Sequence, residues 1–565
     1  MINYFKKNKY YILFVISLII QFKICLYGVD VTDHSYWFSE SYLILQGNMP
    51  LVDLWNPTII SHLVVFPFVA LFTLFTNGTE GIMSFMFQVA VLIRFLLCIS
   101  LFNLLKKNFS ELNSFLFSSI LFFVAIGRRG INYDSLSFYL LVYISILLFT
   151  AYRETALNKQ KLYYSLSGIL MAICVLSHIS TLIVCFYFFL LINLLNKNNK
   201  QKLMIVNRYT IFGTMFAILV LFSLFFLSDF HLLDNLEIVL KQSYFNIERK
   251  SFFFNVLVIL LFFSFSLITV YALNIINKIV YLKNKLDIFS LVSLANIVWV
   301  TIMFKLLTYK NYPFLTDYFL FYLFFITCLL LFHRIKVEKN RFIILFIIFP
   351  SILHCLALLY LSYSSIIYRT YLFASSGLLL FLIIEDNFNF IILKRFFNTK
   401  VLLWCCLMIT AFITQYYNIY RDDYIGDLNY IIDNGIYKNM ITSKEKGETL
   451  ESIELFLKSE IDNDDSLMIL DQFPGGYLMS EAEPFTMSSW FRCESNCNEL
   501  LTYIDYKNTL PTKILTITSE NTTILLNNKD TRILNLINEE YKLQYSYDSD
   551  YNNDLFSFKL YSLKK

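Results

Sequence analysis

The sequence predicts a multipass α-helical membrane protein with about thirteen transmembrane helices and an extracytoplasmic C-terminal α/β domain. Three observations predict it: a series of long apolar runs, basic residues bunched in alternate connections, and a polar tail over 419–565. Residues are 57% hydrophobic and 18% aromatic, and only 16% are charged, against roughly 25% in an ordinary soluble domain. The net charge of +4 gives no reason to expect a nucleic-acid partner.

A spanning helix needs about 20 apolar residues. The runs that supply them are 10–27, 82–105, 111–127, 134–150, 162–177, 180–195, 208–228, 251–273, 287–307, 313–333, 341–361, 366–385 and 399–417. The first lacks a small-residue cleavage site and is followed by many more, so it reads as an uncleaved signal anchor. The basic connections are Lys6 to Lys9, Lys106-Lys107, Arg153 to Lys161, Lys197 to Lys202, Lys278 to Lys285, His333 to Arg341 and Lys394 to Lys400. The positive-inside rule puts these and the N-terminus in the cytoplasm. Thirteen crossings then leave the tail outside.

Segment 58–76 is apolar, but if it crossed, every later basic connection would change sides. It is expected to lie in or dip into the outer leaflet. Residues 35–47 read as a second interfacial helix, because Tyr36, Trp37, Tyr42 and Leu45 alternate with serines and Glu40. The first outer loop thus runs over 28–81, and 229–250 forms a second large one. The chain divides into a membrane domain, 1–418, and the outer domain, 419–565.

In the tail, 448–459 has helical periodicity and Ser466 to Leu470 reads as a buried strand. A turn-rich loop (471–477), a helix (498–508), a strand (513–518), a helix (530–540) and two β-like segments follow. Alternating helix and strand favours an α/β layer. Nucleotide-binding glycine loops and Walker sequences are absent, which weighs against ATP-driven chemistry. Eight of the ten cysteines lie in or beside apolar runs, where cysteine behaves as a small hydrophobe. Cys493 and Cys497 lie in the polar tail, where a local disulfide suits an extracytoplasmic setting better than a metal pair.

Carboxylates beside hydrocarbon are costly to desolvate, so Asp30 and Asp33, at the first membrane exit, invite a functional explanation. Arg94, Asp134, His178, Lys305, Asp317, His354 and Arg369 fall in the outer halves or at the outer ends of spans, with Arg128, Arg129 and Lys310 in short outer loops. Acids and cations gathered there suit a substrate bearing a hydroxyl and a phosphate. A carboxylate takes the proton of the hydroxyl, and arginine forks hold phosphate oxygens. Plainer readings stand beside these. Asp33 is placed to cap the interfacial helix, Arg94 to snorkel, His178 to bridge two spans, and His354 to be structural.

This layout resembles the GT-C superfamily of polyprenyl-phosphate-sugar glycosyltransferases, in particular the protein O-mannosyltransferases, the lipid A aminoarabinose transferases and the Rgt-like transferases. Their first outer loop carries an Asp-Glu pair, an amphipathic helix, a Gly, an Asp and a Pro-containing helix. Asp33-His34 through Gly47, Pro50, Asp53 and Asn56-Pro57 follows that order. Here His34 replaces the Glu, and Asn56-Pro57 stands where relatives have Pro-Pro. Arg94, Asp134 and His178 resemble residues at corresponding places in those enzymes.

The resemblance implies an inverting enzyme of the bacterial inner membrane that moves a sugar from a polyprenyl-phosphate donor to a glycan, lipid or protein hydroxyl at the outer face. Asp33, otherwise Asp30, would be the base. Asp53, Arg94, Arg128, Arg129, Asp134, His178, Lys305 and Arg369 would bind substrate. The sequence requires no cofactor, and a divalent metal is an open alternative without assigned ligands. The competing readings are an O-antigen polymerase or ligase, a lipid-linked glycan flippase, and a non-catalytic scaffold.

Overall fold

The computed structural model describes residues 2–31, 33–50, 52–55, 59–123, 130–225, 343–361, 404–405, 408–409, 419, 422–470, 473–490, 493–519, 531–551 and 554–564. The expected spans 251–273, 287–307, 313–333 and 366–385, and the loop 229–250, lie outside the described residues. Of 399–417 only Trp404, Cys405, Met408 and Ile409 are described.

Helices dominate the described membrane region. They are α1 (Ile2–Ile24), α2 (Asp33–Leu45), α3 (Ile59–Thr76), α4 (Ile82–Leu105), α5 (Glu111–Phe123), α6 (Tyr133–Arg153), α7 (Leu157–Ser177), α8 (Leu182–Asn196), α9 (Lys200–Phe225) and α10 (Phe349–Leu361). Among the described residues three stretches are long and apolar enough to cross a membrane: Ile82–Leu105, Ser135–Arg153 and Leu157–Ser177. Shorter apolar helices cover Ser61–Thr76, Glu111–Phe123, Leu182–Asn196 and Ile344–His354. A capping box starts α6: Asn132 accepts from Ser135 N–H while the Ser135 hydroxyl accepts from Asn132 N–H.

The bundle has two unlike ends. At one, Lys106 Nζ donates to Tyr11 at 3.0 Å, Lys107 to Tyr163, and Asn108 to Thr150 at 3.2 Å. These contacts bring the basic ends of α1, α4, α6 and α7 together. At the other end, α4 begins against the tail: Gly81 N–H donates to Gly435 O and Met83 N–H to Ile436 O.

The tail holds a small ladder, β1 (Tyr430–Ile431) with β2 (Ile441–Thr442), and a five-stranded mixed sheet. The sheet comprises β3 (Ser466–Leu470), β4 (Glu483–Pro484), β5 (Lys513–Ser519), β6 (Tyr541–Tyr551) and β7 (Asp554–Leu563), in the order β4-β3-β5-β7-β6. β4, β3 and β5 run parallel, whereas β7 is antiparallel to both β5 and β6. The helices are α11 (Lys444–Glu460), α12 (Gly476–Met479), α13 (Cys493–Lys507) and α14 (Thr531–Glu540). The turn-rich loop expected over 471–477 thus closes into a short helix, and α13 starts five residues before the expected 498. Cys493 and Cys497 stand one turn apart on α13.

Strand alternation sorts the sheet's residues into two layers. Leu467, Ile469, Leu515, Ile517, Phe558 and Leu560 join the core that continues into the membrane helices. Met468, Leu470 and Ile514 face a second core with Leu500 and Tyr503 of α13 and Ile533 and Ile537 of α14. Trp55, from the first outer loop, lies in that second core, its ring 5.4 Å from Tyr503. The loop is therefore a structural part of the tail.

The segment read as an interfacial helix, 35–47, forms part of α2, and its polar side meets protein. Every residue of α2 from Asp33 to Leu43 is buried. Its apolar residues pack on α3 and α4, Ser35, Ser39 and Glu40 meet the tail, and Ser41 bonds His62 O of α3. α3 retains a lipid-like exposure at its far end, where Leu74 and Phe75 are exposed.

Candidate functional site

The chain leaves α1 through a tight exit. Gly28 has φ +84°, a left-handed conformation that side-chain-bearing residues avoid. A Cβ there would also come within 2.0 Å of Ile419. The exit adds a short parallel bridge to the tail: Ile441 N–H donates to Leu26 O and Gly28 N–H to Ile441 O. Val29 N–H then donates to Asp422 Oδ2 at 2.7 Å, which also accepts from Thr442 Oγ1 at 2.8 Å.

Asp30 and Asp33 follow, both buried. Asp30 Oδ2 accepts from His34 N–H at 3.1 Å, satisfying a first-turn donor of α2. Its carbonyl accepts from Tyr437 Oη. The capping role that the sequence offered to Asp33 is thus filled in part by Asp30, while Asp33 is the first residue of α2. Lys446, with its side chain buried, lies 3.6 Å from Asp422 and within the field of Asp30. Burial pushes the Lys446 ammonium below the usual lysine range, and the nearby carboxylates oppose that shift. The Tyr437 phenol is pushed up by burial and then by Asp30.

The polar side of α2 is held by the tail. Ser39 Oγ lies 2.7 Å from Pro474 O, and a Cβ on Gly475 would sit 3.4 Å from Ser35 Cβ. Glu40 Oε1 accepts from Ser489 N–H at 2.7 Å, Ser488 Oγ at 2.9 Å and Ser489 Oγ at 3.0 Å. Trp490 meets Tyr36 edge-on at 4.9 Å. The loop from Pro474 to Tyr477 lies against α2, and Tyr477 is itself buried, its phenol pushed up to about 12 by desolvation.

The other candidates scatter. Asp53 accepts from Met49 N–H at 2.8 Å and pairs with Lys507 at 2.6 Å, which ties the loop to α13. Arg94 is buried midway along α4, deeper than the outer half where the sequence put it. Its polar neighbours include Tyr139 and Cys98. It lies seven residues beyond Phe87, so on the same face and about 10 Å further along the axis. Phe87 itself touches His34, with ring centroids 5.0 Å apart. The structure thus stacks α2's first turn above Arg94.

Arg128, Arg129, Lys305, Lys310, Asp317 and Arg369 lie outside the described residues, as does the side chain of Asp134. Gly130, which follows the two arginines in the chain, packs so closely on Trp37 that a Cβ would come within 2.5 Å of its ring. That contact brings the start of segment 130–132, before α6, to α2. His178 follows the last residue of α7 and bonds Ser180, which also contacts His354. Among the described residues no group of three or more His, Cys, Asp or Glu is arranged to hold a metal ion.

Sequence reasoning missed Glu40, Asp422, Lys446 and Tyr437 as parts of one site. Glu40 carried a signal, an acid inside an otherwise apolar and hydroxyl-bearing helix. The others lie nearly 400 residues or more from Asp30 in the chain, and nothing local marks them. Compared with known proteins, the chain matches no family model and no curated protein sequence.

Proposed function

We propose that the protein is a membrane glycosyltransferase of GT-C type. It transfers a sugar from a polyprenyl-phosphate donor to an acceptor hydroxyl at the extracytoplasmic face of a bacterial inner membrane, in surface glycan or glycolipid synthesis. The full reading includes about thirteen spans, a cytoplasmic N-terminus and an external tail.

One observation carries it: Asp33 opens a helix buried from Asp33 to Leu43 between apolar helices and the tail, at the bundle end opposite the lysines. Asp33, which matches the acid of the GT-C pattern, is taken as the base, with Asp30 holding the turn before it. The mechanism is a direct displacement. Asp33 accepts the acceptor's hydroxyl proton, its oxygen attacks the anomeric carbon from the face opposite the leaving group, and the bond to the lipid phosphate oxygen breaks with inversion. The phosphate charge is assigned to Arg94, buried on α4 on the same face as Phe87. A polymerase or ligase shares the outer-face chemistry and differs in its acceptor.

The test is purified protein with a defined polyprenyl-phosphate sugar, guided by the glycolipid profile of a deletion strain. Asp33→Asn keeps the size but cannot act as a base, and transfer should fall about 10²–10⁴-fold with insertion intact. Asp30→Asn should act less on transfer and more on the folding of the exit loop. Full activity of the double variant would remove the carboxylate mechanism.

A further inference from the structure

A second buried polar centre lies where α7 gives way to α8. Ile179–Thr181 forms a single 3-10 turn between them. His178, Ser180 and His354 are all buried, the last on α10. α7 leaves the basic connection at Lys159 and Lys161, and 21 residues carry it about 31 Å to His178. The centre therefore sits at the bundle end that holds the tail and the exit loop. Tyr133, at the start of α6, packs on His178 with ring centroids 5.6 Å apart.

The hydrogen bonds fix which ring nitrogens carry protons. Ser180 N–H lies 3.3 Å from His178 Nδ1, and a backbone amide can only donate. His178 Nδ1 is thus an unprotonated acceptor. Ser180 Oγ is 2.7 Å from the same nitrogen, so its hydroxyl hydrogen must point there; otherwise two lone pairs would face each other. Having donated, Ser180 Oγ accepts from the remaining neighbour, His354 Nε2, at 3.3 Å. A neutral His354 protonated at Nε2 carries a bare lone pair at Nδ1. That atom is buried and, among the described residues, has no hydrogen-bond partner. An unmet buried acceptor is costly. Here it is held in one tautomer by a chain of two further side chains, the arrangement by which a base is oriented for a ligand.

We infer that His354 is a ligand-facing acceptor, and that its Nδ1 takes a hydrogen bond from a hydroxyl of the sugar on the donor lipid, with Ser180 and His178 fixing its tautomer. The inference rests on the sugar-transferase reading for the ligand's identity, and on the hydrogen-bond geometry for the site itself.

Two substitutions separate the ring's two nitrogens. His354→Gln puts an amide N–H near the Nε2 position, keeping the bond to Ser180 and removing the Nδ1 acceptor. His354→Asn leaves an amide oxygen near Nδ1 and loses the Ser180 bond. Full-length protein in nanodiscs of sugar-free phospholipid is titrated with a hexose-bearing polyprenyl monophosphate and with the same lipid phosphate lacking the hexose. Wild type should prefer the hexose lipid. His354→Gln should lose about tenfold of that preference, the worth of one hydrogen bond, and His354→Asn should keep most of it. Equal losses in both variants, or unchanged preference in His354→Gln, would overturn the inference.

Carbethoxylation of histidine by diethyl pyrocarbonate, read by peptide mass spectrometry, gives a second measure that needs no sugar transfer. His354 should be modified in the folded protein, and the hexose lipid should slow that modification more than the bare lipid phosphate. Modification only after denaturation would mean a nitrogen sealed in packing, against the inference. Equal slowing by both lipids would make His354 a phosphate contact, which also overturns it. Protection by the hexose lipid without any sugar transfer would refute the transferase reading and leave this site standing.

Discussion

Glu40→Ala should open the tail's contact with α2. Glu40 is fully buried, and its Oε1 collects three donors: Ser489 N–H, Ser488 Oγ and Ser489 Oγ. An orphaned buried donor costs about 1–3 kcal/mol. The two hydroxyls can rotate toward other acceptors, but the Ser489 amide cannot, and one shared oxygen makes the three bonds non-additive. The expected loss is about 3 kcal/mol for alanine and about 1 kcal/mol for glutamine, which keeps a carbonyl acceptor and loses only the charge. Three kcal/mol corresponds to roughly a hundredfold rise in the open population. Amide hydrogen exchange of the full-length protein in nanodiscs reads this directly at Ser489. Its protection should fall roughly a hundredfold in Glu40→Ala and several-fold in Glu40→Gln. Asp33 stands two helical turns away on the same face, about 10 Å along α2, so sugar transfer should fall in the same order. Unchanged Ser489 protection in Glu40→Ala would refute the claim that this carboxylate holds the tail to α2.

Trp55→Ala empties a site in the tail's second core and should cost about 3–5 kcal/mol. Limited proteolysis should then cut the tail near α13 although the substitution lies in the first outer loop; an equally resistant tail would show that Trp55 merely rests on it. Lys446 titrates below its ordinary value of 10.5 because burial disfavours the ammonium. Between its folded and unfolded pKa the unfolded tail binds more protons, so this group's contribution to stability rises with pH and is lost as pH falls. Thermal melts from pH 7 to 10 should show wild type gaining relative to Lys446→Met, and parallel curves would contradict this. Lys446→Met alone also leaves Asp422 buried without its cation and should cost about 3–5 kcal/mol, with Lys446→Met/Asp422→Asn milder. For topology, an external thiol reagent should label a cysteine placed after Tyr420 and one near Gly47, and spare one at Lys106; the reverse pattern would undo the thirteen-span scheme.

Much of the secondary structure was legible because its causes are local. Segment 82–105 is mostly apolar and bounded by Gly81 and Lys106, and it is a helix over Ile82–Leu105. Ser466 to Leu470 is short, apolar and followed by Pro and Gly, and it is a strand. The basic connections marked helix ends that meet in the fold, where Lys106 and Lys107 reach Tyr11 and Tyr163. The acidic exit loop was legible as well, since two carboxylates beside an apolar run stand out against their surroundings.

The environment of α2 was not legible. Its alternation of aromatic and hydroxyl residues describes an amphipathic helix, and amphipathicity alone does not say whether the polar face meets water or protein. Tertiary structure decided for protein, because Glu40 finds Ser488 and Ser489 some 448 residues away. The same reason hid Asp422 and Lys446 beside Asp30, Trp55 inside the tail, and Ser180 between His178 and His354. Each depends on a pairing across the chain that leaves no local periodicity, charge run or spacing. By itself the sequence determined where apolar helices form, which of their ends are basic, and that a mixed helix–strand tail follows. Only the folded chain decided which buried acid caps a turn, which binds the tail, and which opens α2, because those roles belong to partners that only tertiary packing brings together.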